Sequence, residues 1–102
     1  MAKLGKKVYI SGPMTGFADF NYPSFDAKET ELLELGFIPI NPANNFDRST
    51  GRKRAEYLKV DLKNLLTCDY IYFLPGFETS SGAILEALVA KECGIEVLNL
   101  EV

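Results

Sequence analysis

The chain has 102 residues, of which 47% are apolar, and its 11 basic and 14 acidic side chains give a net charge of −3. This length allows one globular domain, which we place at residues 1–102, but excludes a second. The acidic pI of about 4.9 argues against general nucleic-acid binding. No apolar run approaches the ~20 residues that cross a bilayer, and none near the N-terminus suits a signal sequence, so we expect a cytoplasmic protein.

Short apolar runs alternate with amphipathic segments, which predicts strands alternating with helices. In chain order, we expect a strand at 8–11, a helix at 23–35, a strand at 37–40, a polar loop at 44–51, a helix at 52–67, a strand at 70–74, a helix from Ser80 or Ser81 to 93, and a strand at 95–100. Asn21 is expected to cap the first helix. The apolar side of this helix is expected to comprise Phe25, Leu32, Leu33 and Leu35.

This β-α-β-α-β-α-β order predicts an α/β fold with parallel strands and helices on both faces of the sheet. We expect a flavodoxin-like or Rossmann-like three-layer sandwich with strand order 2-1-3-4. Ligands bind at the carboxyl ends of the strands in such sheets, at the point where the strand order reverses. The loops that follow Ser11 and Leu74 should therefore line a crevice for a small molecule.

The sequence contains two cysteines and no histidine, which limits the available chemistry. Cys68 and Cys93 have no CxxC spacing, so the usual zinc sites are excluded, and we expect both to pack as small buried groups. Without histidine, Ser-His and Cys-His nucleophile systems are excluded as well. Acid–base chemistry would have to use Asp, Glu, Tyr, Lys, Cys or bound water.

The two crevice loops contain candidate ligand-binding groups. Residues 11–16 resemble a phosphate-binding turn, although they lack GxGxxG and a Walker lysine, and an ordinary turn is the alternative. Ser80, Ser81 and Gly82 open the third helix and offer hydroxyl and backbone N–H groups to an anion.

Three side chains stand out as candidates for chemistry. Glu86 has small or apolar helix neighbours and no basic partner on its helix. It is therefore either a solvated glutamate or a buried carboxylate with hydrogen-bond partners or a functional role. Asp61 lies at the edge of an apolar stripe and could reach the crevice, or could bond a nearby Lys or backbone group. Tyr9, inside the first strand, needs a partner for its hydroxyl, and Glu86 would serve.

A basic cluster precedes and opens the second helix, and consists of Arg48, Arg52, Lys53 and Arg54. Cations are unfavourable at a helix N-terminus, and an anionic ligand would offset them. A solvated loop with mobile side chains is the favoured interpretation.

Three blocks of the sequence resemble the nucleoside 2-deoxyribosyltransferase-like superfamily. They are residues 8–16 (VYISGPMTG), residues 61–69, and residues 80–87 (SSGAILEA). The superfamily includes deoxyribosyltransferases and 2′-deoxynucleoside 5′-phosphate N-hydrolases. The first block and the segment after it look closest to a short subgroup found in phages and bacteria.

The resemblance implies that Glu86 attacks C1′ of the sugar, that Asp61 contacts the sugar or assists proton transfer to the base, and that Tyr9 orients Glu86. It implies a nucleoside or nucleotide ligand and no metal or other cofactor. We expect the ligand to be held by Ser11, Gly12, Met14, Gly16, Phe20, Tyr22, Ser80, Ser81 and Gly82, with Phe20 or Tyr22 stacking on the base.

The chain departs from this pattern at Pro13, where the hydrolases have a serine, and the transferases are longer. The leading hypothesis is cleavage of the N-glycosidic bond of a deoxynucleoside or its 5′-monophosphate, with hydrolysis favoured over transfer because a small open pocket admits water. The alternatives are a protein that binds a nucleotide or nucleotide signal without cleaving it, and a structural protein that keeps only the fold. We also expect a homodimer formed through helices.

Overall fold

The computed structural model describes residues 5–49 and 51–100. The two predicted boundaries of the domain, Met1 and Val102, therefore lie outside the described residues. Its strands are β1 (Lys7–Ser11), β2 (Ile38–Ile40), β3 (Tyr70–Phe73) and β4 (Glu96–Val97). Its α-helices are α1 (Tyr22–Glu34), α2 (Arg54–Leu65) and α3 (Ser81–Glu92). Short 3-10 turns lie at Ala18–Asn21, Pro42–Asn44 and Phe77–Thr79.

The four strands form one parallel sheet in the order β2-β1-β3-β4. This confirms the predicted α/β class and strand order. Tyr9 pairs with Ile71 and Ser11 with Phe73, so β1 and β3 end side by side in the middle of the sheet. The loops after these two strands therefore meet at the predicted crevice.

The side chains of β1 alternate between two apolar cores. Val8 and Ile10 pack in one core with α1 residues such as Phe25 and Leu32. Tyr9 packs in the other core with side chains of α2, β3 and α3, including Leu65, Ile71 and Ala90. Because successive strand residues point to opposite faces, Ser11 shares the face of Tyr9, which α2 and α3 cover.

Several predicted details of the core are wrong. Leu33 and Leu35 at the end of α1 are 57% and 51% exposed, because only the stripe containing Phe25 and Leu32 faces the sheet. Cys93 is exposed, whereas Cys68 is buried as expected.

The extent of the last strand and the cap of the first helix also differ from the prediction. The strand predicted at 95–100 is reduced to Glu96–Val97, although Leu98 still donates its N–H to the Ile71 carbonyl oxygen at 2.8 Å and packs in the same core as α1. Asn21 does not cap α1 with its side chain. Its φ is 63°, and its Nδ2 donates instead to the Pro13 carbonyl oxygen at 2.9 Å.

No helix in residues 5–49 and 51–100 is both long and apolar enough to span a membrane. The cytoplasmic location and the homodimer stay predictions.

Gly12 is needed for the close approach of the loop after β1 to β3. A Cβ at this position would lie 2.8 Å from Leu74 Cβ, an atom that no side-chain rotation moves away. We expect Gly12→Ala to lower the free energy of unfolding by about 1–3 kcal/mol through overpacking. Denaturant titration would measure this change.

Gly51→Ala is the matched control, because a Cβ at Gly51 meets nothing within 4 Å and its φ is not positive. Its stability should remain within about 0.5 kcal/mol of wild type. Equal losses in the two variants would contradict the steric argument.

Candidate active site

Helix α3 buries a carboxyl group in its second turn. Its first turn is capped by the Ser80 hydroxyl, which accepts a hydrogen bond from the Ala83 N–H at 3.1 Å. Glu86 follows and is only 6% exposed, so it is not the solvated glutamate of the alternative interpretation. Its helix neighbours Gly82, Ala83 and Ala90 are small, which leaves space beside the carboxyl group.

Both carboxyl oxygens of Glu86 accept hydrogen bonds from β1. The Tyr9 hydroxyl donates to Oε2 at 2.7 Å, and the Ser11 hydroxyl donates to Oε1 at 2.6 Å. The two donors stand two residues apart on the same face of the strand, so one strand supplies both. Glu86 is therefore the partner that the Tyr9 hydroxyl needs, and Ser11 fixes the other side of the same group.

Burial raises the pKa of Glu86 to about 7, although the hydrogen bonds from Ser11 and Tyr9 act in the opposite direction. The negative charge of Asp61 adds to the rise. Burial and the charge of Glu86 keep the pKa of Tyr9 well above 10, so its hydroxyl stays a proton donor. Glu86 can therefore change its charge near neutral pH, as acid–base and nucleophilic groups must.

Asp61 on α2 is a second partly buried carboxyl group. Its Oδ1 accepts a hydrogen bond from Asn45 Nδ2 at 2.7 Å, so its partner is an amide and not the lysine or backbone group of the alternative interpretation. Burial raises the pKa of Asp61 to about 6. Asp69, in the same sequence block, lies at the other end of the sheet and accepts a hydrogen bond from the Lys7 N–H at 2.9 Å.

Glu86 and Asp61 both line a cleft of about 880 Å³ at the carboxyl edge of the sheet. The loop after β1, the segment between β2 and α2, and the start of α3 form its walls. Its aromatic lining consists of Phe20, Tyr22, Phe25, Phe46 and Tyr57. Charged and hydroxyl groups, including Glu86, Asp61 and Arg54, stand beside these rings, and a concave site that combines apolar surface with convergent polar groups is typical of small-molecule binding.

Most of the predicted ligand-binding residues line this cleft, namely Gly12, Met14, Phe20, Tyr22, Ser80, Ser81 and Gly82. Ser11 and Tyr9 are fully buried and do not line the cleft. Each is connected to it only by a hydrogen bond to Glu86. Gly16 is also outside the lining, where its φ of 86° turns the chain.

The basic cluster is more ordered than a solvated loop. Arg48 Nη1 and Nη2 donate to the two carboxylate oxygens of Asp26 at 2.9 and 2.7 Å, and its guanidinium lies 4.6 Å from the Tyr22 ring centre. Arg54 Nη2 donates to the Ser81 hydroxyl at 3.2 Å, beside the start of α3. The Arg48 guanidinium is therefore paired with Asp26 in the cleft wall. Arg54 lines the cleft beside the first turn of α3.

Sequence reasoning missed the wall that follows β2. Phe46, Asp47, Ser49 and Gly51 line the cleft, in a segment predicted only as a polar loop. Its position after a strand was the available signal, since the carboxyl ends of all parallel strands share one edge. In the described part of the chain, no group of three or more His, Cys, Asp and Glu side chains is placed to hold a metal ion.

Solved structures share this architecture. A 2-desoxiribosyltransferase from Leishmania mexicana matches with a TM-score of 0.71 at 18% identity, over 91% of this chain and 62% of that chain. A conserved protein from Enterococcus faecalis V583 matches with a TM-score of 0.65 at 24% identity, over 91% of this chain and 61% of that one. The chain thus spans about three fifths of the length of each. The chain shares its fold with this 2-desoxiribosyltransferase, which is the fold that the sequence resemblance implied.

Residues 6–99 match the model of a domain of unknown function, DUF4406. The chain belongs to the DUF4406 family. A comparison with curated proteins gives no match.

Proposed function

We propose that this protein cleaves the N-glycosidic bond of a deoxynucleoside or a deoxynucleoside 5′-monophosphate, with Glu86 as the nucleophile. The observation that carries the proposal is the buried Glu86 carboxyl group, which is held through both oxygens and lines a cleft shared with Asp61. Similarity of fold to a 2-desoxiribosyltransferase supports the same class of chemistry.

The reaction needs two carboxyl groups in different protonation states. An oxygen of ionised Glu86 forms a bond to C1′ while the C1′–N bond breaks and its electron pair leaves with the base. Asp61 donates a proton to the departing base and becomes a carboxylate. Water then attacks C1′, the C1′–O bond to Glu86 breaks, and the Asp61 carboxylate takes the proton that the water loses, which completes hydrolysis. A second base in place of water would complete a transfer.

In the ligand-free cleft the higher pKa of Glu86 places a shared proton mainly on Glu86. With pKa values of about 7 for Glu86 and about 6 for Asp61, the pair holds roughly one proton between pH 6 and 7. Productive chemistry needs that proton on Asp61. Positive charge that develops at C1′ in the transition state favours ionised Glu86 and therefore this arrangement.

The lining of the cleft provides recognition groups for the rest of the ligand. Phe20 and Tyr22 are available to stack on the base, and Phe20 is 56% exposed. Arg54, Ser80 and Ser81 offer donors to an anionic 5′ end, at the start of a helix that favours negative charge.

The test is incubation of the purified protein with a panel of deoxynucleosides and their 5′-monophosphates, with chromatography for released base. Base release from at least one substrate is the expected result. Ligand-induced thermal stabilisation without base release would instead favour the second candidate, a nucleotide-binding protein, for which Arg54 and the aromatic walls suffice. Neither release nor stabilisation across the panel would reject both.

Gly82→Ala tests whether the start of α3 receives the ligand. A Cβ at Gly82 would meet only Ser80 Oγ at 3.9 Å, so the protein itself has room for it. The same methyl group would occupy cleft space, and we expect ligand affinity to fall roughly tenfold. Stability should be unchanged or slightly higher, because alanine is the better helix former.

Isothermal titration with a panel member that binds would measure the affinity. Leu88→Ala, on the exposed side of the same helix, is the control and should bind like wild type. Unchanged affinity in Gly82→Ala would mean that the ligand does not reach this end of the cleft.

A further inference from the structure

Asn45 occupies a fixed position between the wall after β2 and helix α2. The preceding turn is held by Asn41, whose Oδ1 accepts a hydrogen bond from the Ala43 N–H at 3.0 Å. The Asn45 N–H donates to the Pro42 carbonyl oxygen at 3.1 Å, which closes the turn. The Asn45 side chain therefore leaves a defined backbone and points toward α2.

The orientation of the Asn45 amide is determined by a second asparagine. Asn64 Nδ2 donates to Asn45 Oδ1 at 3.1 Å, and Asn45 Nδ2 donates to Asp61 Oδ1 at 2.7 Å. Since its oxygen is already engaged by a donor, Asn45 presents an N–H group to Asp61. Such a donor favours the ionised form of a carboxyl group.

The contact engages only one side of the Asp61 carboxyl group. Oδ2 accepts no hydrogen bond from the residues that the structure describes, while Asp61 itself lines the cleft and Asn45 does not. One oxygen is thus held by the protein and the other is available to a ligand.

We propose that Asn45 is a positioning residue for Asp61, which fixes one carboxyl oxygen, leaves the other to the ligand and stabilises the carboxylate that remains after proton donation. The inference rests on the proposed function for its catalytic consequence, but not for the contact itself. An acid that must give its proton to a departing base benefits from a preorganised donor, because the donor stabilises the charge left behind.

Other charged or titratable groups surround Asp61 and must be kept constant in the test. Glu86 on α3 and Tyr9 on β1 interact with its charge. Arg52, Arg54 and Tyr57 line the same cleft from α2 and the residues before it. None of these side chains is hydrogen-bonded to Asn45 in the described part of the chain, so a substitution at Asn45 removes the donor to Asp61 and the acceptor of Asn64 but no side-chain contact of these groups.

The experiment is an NMR titration of the ¹³C-labelled Asp61 carboxyl group in the ligand-free protein. Removal of the donor in Asn45→Ala should raise the pKa of Asp61 by about one pH unit above its value of about 6. Asn44→Ala is the matched control, since Asn44 belongs to the same turn but contacts Glu29 and Arg48. It should leave the titration unchanged.

The same variants are then compared in base release. In Asn45→Ala the rate should fall about tenfold or more, and the alkaline limb of its pH profile that reports Asp61 should move to higher pH. Asn44→Ala should show neither effect. If wild type releases no base, the proposed function fails, but the titration still decides whether Asn45 acts on Asp61.

Identical Asp61 titrations in wild type and Asn45→Ala would overturn the inference. If Asn45→Ala does not fold, Asn64→Ala replaces it, because loss of the group that orients the Asn45 amide should shift the titration in the same direction by a smaller amount. No shift in that variant would overturn the inference equally.

Discussion

Glu86→Gln should lose at least about 10³-fold in the rate of base release, because an amide oxygen cannot replace the carboxylate that attacks C1′. Glutamine has nearly the same shape, and its amide can still accept from one hydroxyl and donate to the other. The contacts to Tyr9 and Ser11 therefore have a replacement, and the loss should lie in turnover and not in folding. Chromatography of released base, with circular dichroism of both proteins, would measure the two separately.

Glu92→Gln is the control for this substitution. It makes the same chemical change on the same helix, but at an exposed position outside the cleft. Its rate should equal that of wild type. Base release by Glu86→Gln within about tenfold of wild type would remove Glu86 from the role of nucleophile.

The second large expected effect concerns the pH dependence of stability. The folded protein keeps a proton on Glu86 up to a pKa of about 7, whereas an ordinary glutamate loses it at 4.5. Between these values the folded state binds more protons than the unfolded state, so the free energy of unfolding falls as pH rises. At about 1.4 kcal/mol per pKa unit, this contribution is on the order of 3 kcal/mol; it is fully present below pH 4.5 and lost above about pH 7.

Denaturant titrations between pH 4 and 8 would measure this dependence for wild type and Glu86→Gln. As pH rises, the free energy of unfolding of wild type should fall relative to that of Glu86→Gln, since glutamine does not ionise. Burial of Asp61 raises its pKa in both proteins and contributes in the same direction, so this part cancels in the difference. A difference that is constant across this range would show that Glu86 titrates normally in the folded protein.

Much of the fold follows from local patterns in the sequence. Apolar runs alternating with amphipathic segments predict parallel strands and covering helices, and the short chain leaves few strand orders. Glu86 stood out because its helix neighbours are small and none is basic, which is unusual for a solvated position. Its link to Tyr9 was a reasonable expectation, since a buried tyrosine needs a partner.

The parts that the sequence did not reveal depend on contacts between distant residues. Asn45 meets Asp61, 16 positions away, from a segment without periodicity that local patterns describe only as a loop. The sequence predicts a mobile cation at Arg48 because its partner Asp26 is 22 positions earlier, on helix α1. Ser11 looked like a ligand contact because its loop position was evident, but the face of β1 on which it lies was not.

The alternation of β1 has a consequence for how this chain can vary. One face of the strand supplies core side chains, and the other supplies both hydroxyl donors to Glu86. A shift of the whole strand by one residue in its register would exchange the two faces, so that the hydroxyls would enter the core under α1 and apolar groups would meet the carboxyl group. The strand can therefore accept apolar substitutions of similar size at Val8 and Ile10, but a shift in register by one residue would remove the core and the site together.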